Sequence, residues 1–111
     1  MIYHIIPRAA WQQLPPGPYS AASLVSEGFI HCSYQHQVAW AANKFHSTQS
    51  ELLVLGIDPE RLKSPVRAED PGCGEHFPHI YGPINRDAVV QVQPMQRGTD
   101  GKWIFPAETA S

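Results

Sequence analysis

Cysteine is nearly absent. Cys32 and Cys73 are the two present in 111 residues, too few for the disulfide framework of a small secreted domain, so free thiols in a reducing compartment are expected. Long apolar runs are missing as well: nowhere do the roughly 18 consecutive apolar residues of a membrane-spanning helix occur. Met1 to Pro7 shows neither a basic leader nor a small-residue cleavage site, and a cytoplasmic location without a membrane partner is the expectation. Charge is sparse at 16% of residues, and eight Lys and Arg against ten Asp and Glu leave a net charge of −2. The cations are scattered singly, which excludes the basic stripe of a phosphate-backbone binder, so no nucleic acid is expected as a partner. No G-x-G-x-x-G, G-x-x-x-x-G-K, G-x-S-x-G or H-E-x-x-H pattern occurs, which leaves Rossmann, P-loop, hydrolase-elbow and zincin readings without support.

Proline, by contrast, is abundant. Eleven prolines are about twice the usual usage and cut the chain into pieces too short for a helical bundle. An apolar content of 42% suffices for one core, and the length fits a single domain spanning 1–111. Residues 1 to 6 are β-branched and aromatic and predict a first strand, with Pro7 opening a short helix over Arg8 to Gln13. Gly28 suits a left-handed exit into a second strand, 29 to 32. Ser33 is a good N-cap for a helix over Tyr34 to His46, whose Val38, Ala41, Ala42 and Phe45 recur on one face. Leu52 to Ile57 is a continuous apolar run and predicts a strand covered on both faces, at the centre of a sheet. Asp58 opens a helical turn over 59 to 62, Val66 to Ala68 and Phe77 to Tyr81 are extended, and Ala88 to Val92 is a strand paired with Trp103 to Phe105. The sum is a mixed α+β domain of mostly antiparallel sheets with about six strands and two or three helices. The apolar Trp103-Ile-Phe105 segment offers a surface to the domain itself or to a second copy, so a monomer or weak homodimer is expected.

Three histidines lie in or beside strands where a purely structural sequence more often carries an aliphatic residue: His4, His31 and His79. Alternation puts His4 on one face with Ile2 and Ile6, and His31 on one face with Phe29 and Ser33. A neutral imidazole there donates from one nitrogen and accepts at the other, fit to orient a hydroxyl or move a proton; the plainer alternative is a buried ring with a backbone partner. In Glu75-His-Phe-Pro-His-Ile-Tyr-Gly-Pro83, extension points Phe77, His79 and Tyr81 one way, and an imidazole beside a phenol forms a wall on which a planar ring can stack. The alternative is a rigid edge strand packing its aromatics in the core. Cys73, His76 and His79 give Cys-x-x-His-x-x-His, but His31 and Cys32 project from opposite faces of their strand, so at most one can join them, and Pro78 prevents a helical His pair, so no metal is expected. Most carboxylates read as turn or cap residues. Glu69 and Glu75 flank the Gly-rich loop and reach toward a cleft, although a solvated loop position is the ordinary alternative for each.

Glu27-Gly-Phe-Ile-His-Cys-Ser33 together with Phe77-Pro-His-Ile-Tyr-Gly-Pro83, after a first strand carrying His4, resembles domain-of-unknown-function family 952, small proteins of bacteria and plants. The resemblance covers nearly the whole chain and extends to the order of elements. It implies a fold similar to the ADP-ribosyltransferases, a split pair of antiparallel sheets around a nicotinamide-dinucleotide cleft. Under that resemblance His4 holds the ribose, Tyr81 or Tyr34 stacks on the ring, and His31, His79 and Ser33 position phosphate, ribose or acceptor. The helix N-terminus at Ser33-Tyr34 faces the pyrophosphate. The implied activity is glycosyl transfer from NAD, a substrate rather than a resident group. The pattern departs from the superfamily in one respect: no glutamate lies within Ala88 to Val92, which puts transfer to protein side chains in doubt. The alternative is a non-catalytic small-molecule or protein-binding module on the same fold, with a nucleotide-like ligand.

Overall fold

The computed structural model describes residues 1–105. The Leu-Val-Leu run forms β3 (Leu52–Ile57), buried at all six positions. It is the middle strand of a three-stranded antiparallel sheet, with β1 (Ile2–Pro7) on one side and β6 (Val89–Pro94) on the other. Register with β1 runs from Ile2 opposite Ile57 to Pro7 opposite Leu52. Alternation along β3 serves two cores. Leu53, Leu55 and Ile57 join Ile2, Ile6, Ile30 and Ile80, whereas Leu52 and Val54 pack with Tyr3, Val38, Ala42, Met95 and Trp103. A continuous apolar sequence is what two covered faces require, and each such aliphatic side chain stabilises the fold by roughly 1.5–3 kcal/mol.

A second three-stranded antiparallel sheet has the order β2 (Ile30–His31), β5 (Phe77–Ile80), β4 (Val66–Glu69). Its pairing sets His31 directly opposite His79, and Arg67 opposite His79 on the other side. The two sheets meet where Tyr3 and Ser33 exchange backbone hydrogen bonds of 2.8 and 2.7 Å. Three short helices complete the described residues: α1 (Arg8–Gln12), α2 (Ala22–Ser26) and α3 (Val38–Phe45). Gly28, at φ +88°, turns the chain from α2 into β2, as its lack of a Cβ allows. No helix among the described residues is long and apolar enough to cross a membrane.

Several expectations are corrected. Ser33 does not cap a helix, because its backbone is committed to Tyr3; the chain first makes a 3-10 turn over Gln35–Gln37, and α3 begins at Val38. Phe45 does not join Val38 and Ala42 in the core but stays 67% exposed. Trp103 occupies that end of α3 instead, its backbone N–H donating to Asn43 Oδ1 at 2.7 Å and its indole N–H to the His46 carbonyl at 3.1 Å. Trp103 therefore is not an exposed docking residue. Nor does its strand pair with 88–92: β8 (Trp103–Ile104) closes a hairpin with β7 (Gln96–Arg97), and the Arg97 guanidinium lies 3.9 Å from the Trp103 ring centre. Strand β6 runs on to Pro94 and the chain enters β7 at Gln96, so the partner that the following turn presents to Trp103–Ile104 is β7.

Candidate functional site

Two hollows adjoin β2 and β5. The larger, about 560 Å³, opens between β1, β2, β5 and α3, and its walls include Tyr3, Trp40, Phe77 and Ser33, with Lys44 and His46 at the α3 end. The smaller, about 330 Å³, is lined by Glu27, Phe29, Glu69 and Tyr81 among others. His31 and His79 line both. A volume of several hundred Å³ with mainly apolar walls and a few convergent polar groups is the usual form of a small-molecule site.

His79 is the best-determined group. Only 2% of it is exposed, its ring stacks on Phe29 with centroids 4.1 Å apart and planes 14° off parallel, and its Nδ1 lies 3.1 Å from Glu69 Oε1. The Tyr81 hydroxyl donates to the same oxygen. These two hydrogen bonds, Tyr81 first and His79 second, hold the Glu69 carboxyl below its ordinary range, and the carboxylate in turn raises the Tyr81 phenol. An ionised Glu69 accepts only, so Nδ1 carries the hydrogen that bridges them. In the neutral ring Nε2 is then a bare lone pair, and it has no partner among the described residues. An unpaired buried polar atom costs roughly 1–3 kcal/mol, an expense that groups meeting a ligand commonly carry.

His31 forms a second such pair. Its Nε2 lies 2.9 Å from Glu27 Oε2, and its ring meets the His79 ring edge-on with centroids 5.4 Å apart. Glu27 is the C-cap residue of α2, and its sequence position marks it only as one of the turn or cap carboxylates. The signal for it was Gly28, whose left-handed backbone folds the glutamate back over the strand that carries His31.

His4 lines the larger hollow but has no free nitrogen. Nδ1 donates to the His31 carbonyl at 2.7 Å, and Nε2 lies 3.0 Å from the Tyr19 hydroxyl. Since Nδ1 holds the hydrogen, Nε2 accepts from Tyr19. Burial lowers the His4 pKa to about 4, against the raising effect of the backbone bond. His4 thus ties β1 to β2 and to the loop that carries Tyr19, a positioning role in place of the expected contact with ribose.

Two further expected residues stand elsewhere. Tyr34 packs against the first core and stacks on His36 at 6.3 Å, away from both hollows, and its backbone N–H, donating to Gln37 Oε1 at 3.0 Å, is not free for a pyrophosphate. Glu75 is engaged by the buried Gln37 amide at 2.9 Å and by His36 at 3.3 Å, and fixes the 70–76 loop to the turn before α3. Cys73, His76 and His79 do not assemble: among the described residues no three His, Cys, Asp or Glu groups are placed to share a metal ion. Burial pushes the Cys32 thiol up, consistent with a small apolar core residue. Of the expected residues, His31 and His79 are shared by the two hollows, His4 and Ser33 line the larger, and Glu69 and Tyr81 line the smaller.

Comparison with known proteins agrees with this architecture. The family model described as protein of unknown function DUF952 matches residues 5–92. The chain is similar to protein CC0527 from Caulobacter crescentus. The CC0527 crystal structure is 28% identical with a TM-score of 0.79, covering 93% of this chain and 92% of that one. Its solution NMR structure is 29% identical with a TM-score of 0.75, covering 91% and 89%. No curated protein matches. With most of its length under the family model, the chain belongs to the DUF952 family.

Proposed function

We propose that this member of the DUF952 family binds a nicotinamide-dinucleotide-class ligand, NAD or ADP-ribose, in the larger hollow and cleaves the glycosidic bond to nicotinamide, on a fold similar to the ADP-ribosyltransferases. The observation that carries the reading is the Glu69–His79 pair: a buried imidazole oriented by a carboxylate, with an unpartnered Nε2, in a wall shared by both hollows. The surrounding residues fit such a ligand. Trp40, Phe77 and Tyr3 offer ring faces, while Lys44 and His46 offer positive or donor groups for phosphate at the α3 end. The carboxylate that the sequence pattern lacked in the last strands has a substitute in Glu69, which ends β4 opposite Phe77.

Bound NAD supplies a positively charged leaving ring whose departure takes the bonding electrons with it. The chain's own part is threefold. His79 Nε2 accepts the proton of the attacking hydroxyl or water. Glu69 holds the Nδ1–H tautomer and stabilises the imidazolium that results, the same division of labour as in carboxylate–histidine catalytic groups. Glu69 and Glu27 act from behind the wall, through His79 and His31, and their negative charge favours the positive charge that develops on the ribose as the bond breaks.

The test is release of nicotinamide from NAD⁺, followed together with the histidine ring resonances in the presence of NAD⁺ or ADP-ribose. Release by the wild type that is lost in His79→Ala, with His31 and His79 signals moving on titration, is the expected result. Shifts without release favour the binding module, a reading supported by the complete internal pairing of His4. Neither shifts nor release at millimolar ligand removes the proposal.

A further inference from the structure

The two hollows differ in charge. The larger has no Asp or Glu in its described lining, whereas the smaller has three, Glu27, Glu69 and Asp70. The larger wall has one Lys or Arg, Lys44 at the α3 end, and it makes no ion pair among the described residues. Its ammonium instead lies 5.5 Å from the ring centre of Trp40, one turn earlier on α3. Trp40 is 46% exposed and meets Phe45 edge-on with centroids 6.1 Å apart. Among the described residues these are the two large apolar aromatics left exposed, and they stand side by side in the wall of one hollow. Exposed apolar side chains gathered into a patch mark a binding surface, as single scattered ones do not. A continuous wall joins them to the histidines: Trp40 lies 5.7 Å from Phe77, which precedes His79 by two residues on the same face of β5, about 7 Å along the strand.

We infer that the α3 end of the larger hollow is a subsite for an adenosine phosphate, the purine stacked on Trp40 beside Phe45 and the phosphate held by Lys44, so that a dinucleotide lies with its adenosine half outward and its nicotinamide half at the histidine wall. The subsite follows from the paired rings and the charge; the identity of its ligand rests on the dinucleotide reading proposed above. Every base offers a π-face, so a half-exposed indole holds a purine by stacking, without base-specific hydrogen bonds. In the free protein Lys44 covers the Trp40 ring. A cation–π contact between exposed groups is weak, and phosphate offers the ammonium a charge-assisted hydrogen bond in exchange. The same side chain therefore uncovers the ring and takes the phosphate. Charge also fixes the direction of the ligand. The positive nicotinamide ring lies toward Glu27 and Glu69, which stand behind His31 and His79, and the phosphates lie toward the end with no carboxylate in its lining.

Titration of the full chain with AMP, adenosine and nicotinamide riboside tests it, followed through the Trp40 indole, the Lys44 ε-methylene and the His31 and His46 rings. AMP should move Trp40 and His46, release the Lys44 methylene from the ring-current shift of the indole, and leave His31 in place. Nicotinamide riboside should move His31 and leave Trp40. Adenosine should bind about tenfold more weakly than AMP, the equivalent of one charge-assisted contact, and Lys44→Gln should remove that difference without weakening adenosine. Trp40→Leu should weaken AMP and adenosine alike, about tenfold. Lys44 is exposed, so its variant remains informative if Trp40→Leu misfolds. AMP binding in this pattern without release of nicotinamide from NAD⁺ upholds the subsite and removes the cleavage reading. Cleavage of NAD⁺ with Trp40 unmoved by AMP upholds cleavage and overturns the subsite. The inference is also overturned if AMP moves His31 while nicotinamide riboside moves Trp40, or if Trp40 responds to protein concentration and not to AMP, for then the ring pair joins two copies of the chain.

Discussion

His31 and His79 stand opposite one another across the β2–β5 pair, their rings nearly perpendicular at 82°, and each is bonded to a carboxylate of its own. The two pairs differ in what they leave free. His31 is half exposed, whereas His79 is sealed between Phe29 and the strands with Nε2 unpartnered among the described residues.

The His79 tautomer is therefore expected to depend on Glu69. In Glu69→Gln the side-chain amide can donate to Nδ1, which moves the hydrogen to Nε2 and removes the lone pair. Ring nitrogen chemical shifts should report the exchange. Any turnover should fall by about 10²–10⁴, the usual contribution of a positioned base, with the urea midpoint changed far less than the rate. A ring that keeps its hydrogen on Nδ1 in this variant contradicts the assignment.

Stability should fall on mild acidification because of His4. Its folded pKa is about 4 against 6.5 for the free group, so between these values the unfolded chain binds a proton that the folded one does not. Stability thus rises with pH through this window and is complete above about 6.5. The difference corresponds to about 3 kcal/mol at the acid end. Urea melts at pH 7.5 and 4.5 should show this loss in the wild type and a clearly smaller one in His4→Gln. Equal losses would mean that another group titrates.

The two-faced burial of β3 was legible in Leu52-Leu-Val-Leu-Gly-Ile57, because a run without alternation has few other uses. Its measurable consequence is a contrast. Leu55, fully buried at the centre, should cost about 2–5 kcal/mol as Leu55→Ala, while Phe45→Ala should stay within about 0.5 kcal/mol, although periodicity alone placed Phe45 in the core. Helical spacing states which residues share a face. It does not state that Trp103, distant in the chain, fills the space at that face's end.

The site was legible in the same partial way. Period-two alternation brought His79 and Tyr81 to one side, and the strand pattern picked out His31. The roles of His4 and Ser33 were not readable locally. Tyr19, which completes His4, is held in an irregular segment by a bridge to Ile84, and Ser33 lost its capping role to a bridge with Tyr3. Both outcomes are set by contacts between segments far apart in sequence, which local rules cannot weigh.

Gly82 should tolerate no side chain. Its φ is +154°, and an added Cβ would run into Ser64 Oγ and Cβ. Ser64 cannot yield freely, since its hydroxyl donates to the Pro83 carbonyl at 2.7 Å. Gly82→Ala should cost about 1–3 kcal/mol, and the penalty should shrink in a Ser64→Gly background. A thermal melt of the four-member cycle measures the coupling.

Tyr19→Phe separates the structural from the functional imidazoles. The substitution keeps the ring that packs edge-on against Trp11 but removes the hydroxyl that donates to His4 Nε2, leaving a buried acceptor unpaired at a cost of about 1–3 kcal/mol. Because His4 offers the larger hollow no open nitrogen in the wild type, ligand affinity should change little once the variant is folded. Ser33→Ala should do the reverse: the Tyr3–Ser33 bridge is made by backbone atoms and survives, so stability should hold while a hydroxyl is lost from the wall of the hollow. Melting midpoints and NAD⁺ or ADP-ribose titrations on the two variants should therefore move in opposite patterns. If Tyr19→Phe instead abolishes binding at full stability, the Tyr19–His4 pair contacts the ligand directly, and the ribose-holding role returns to His4.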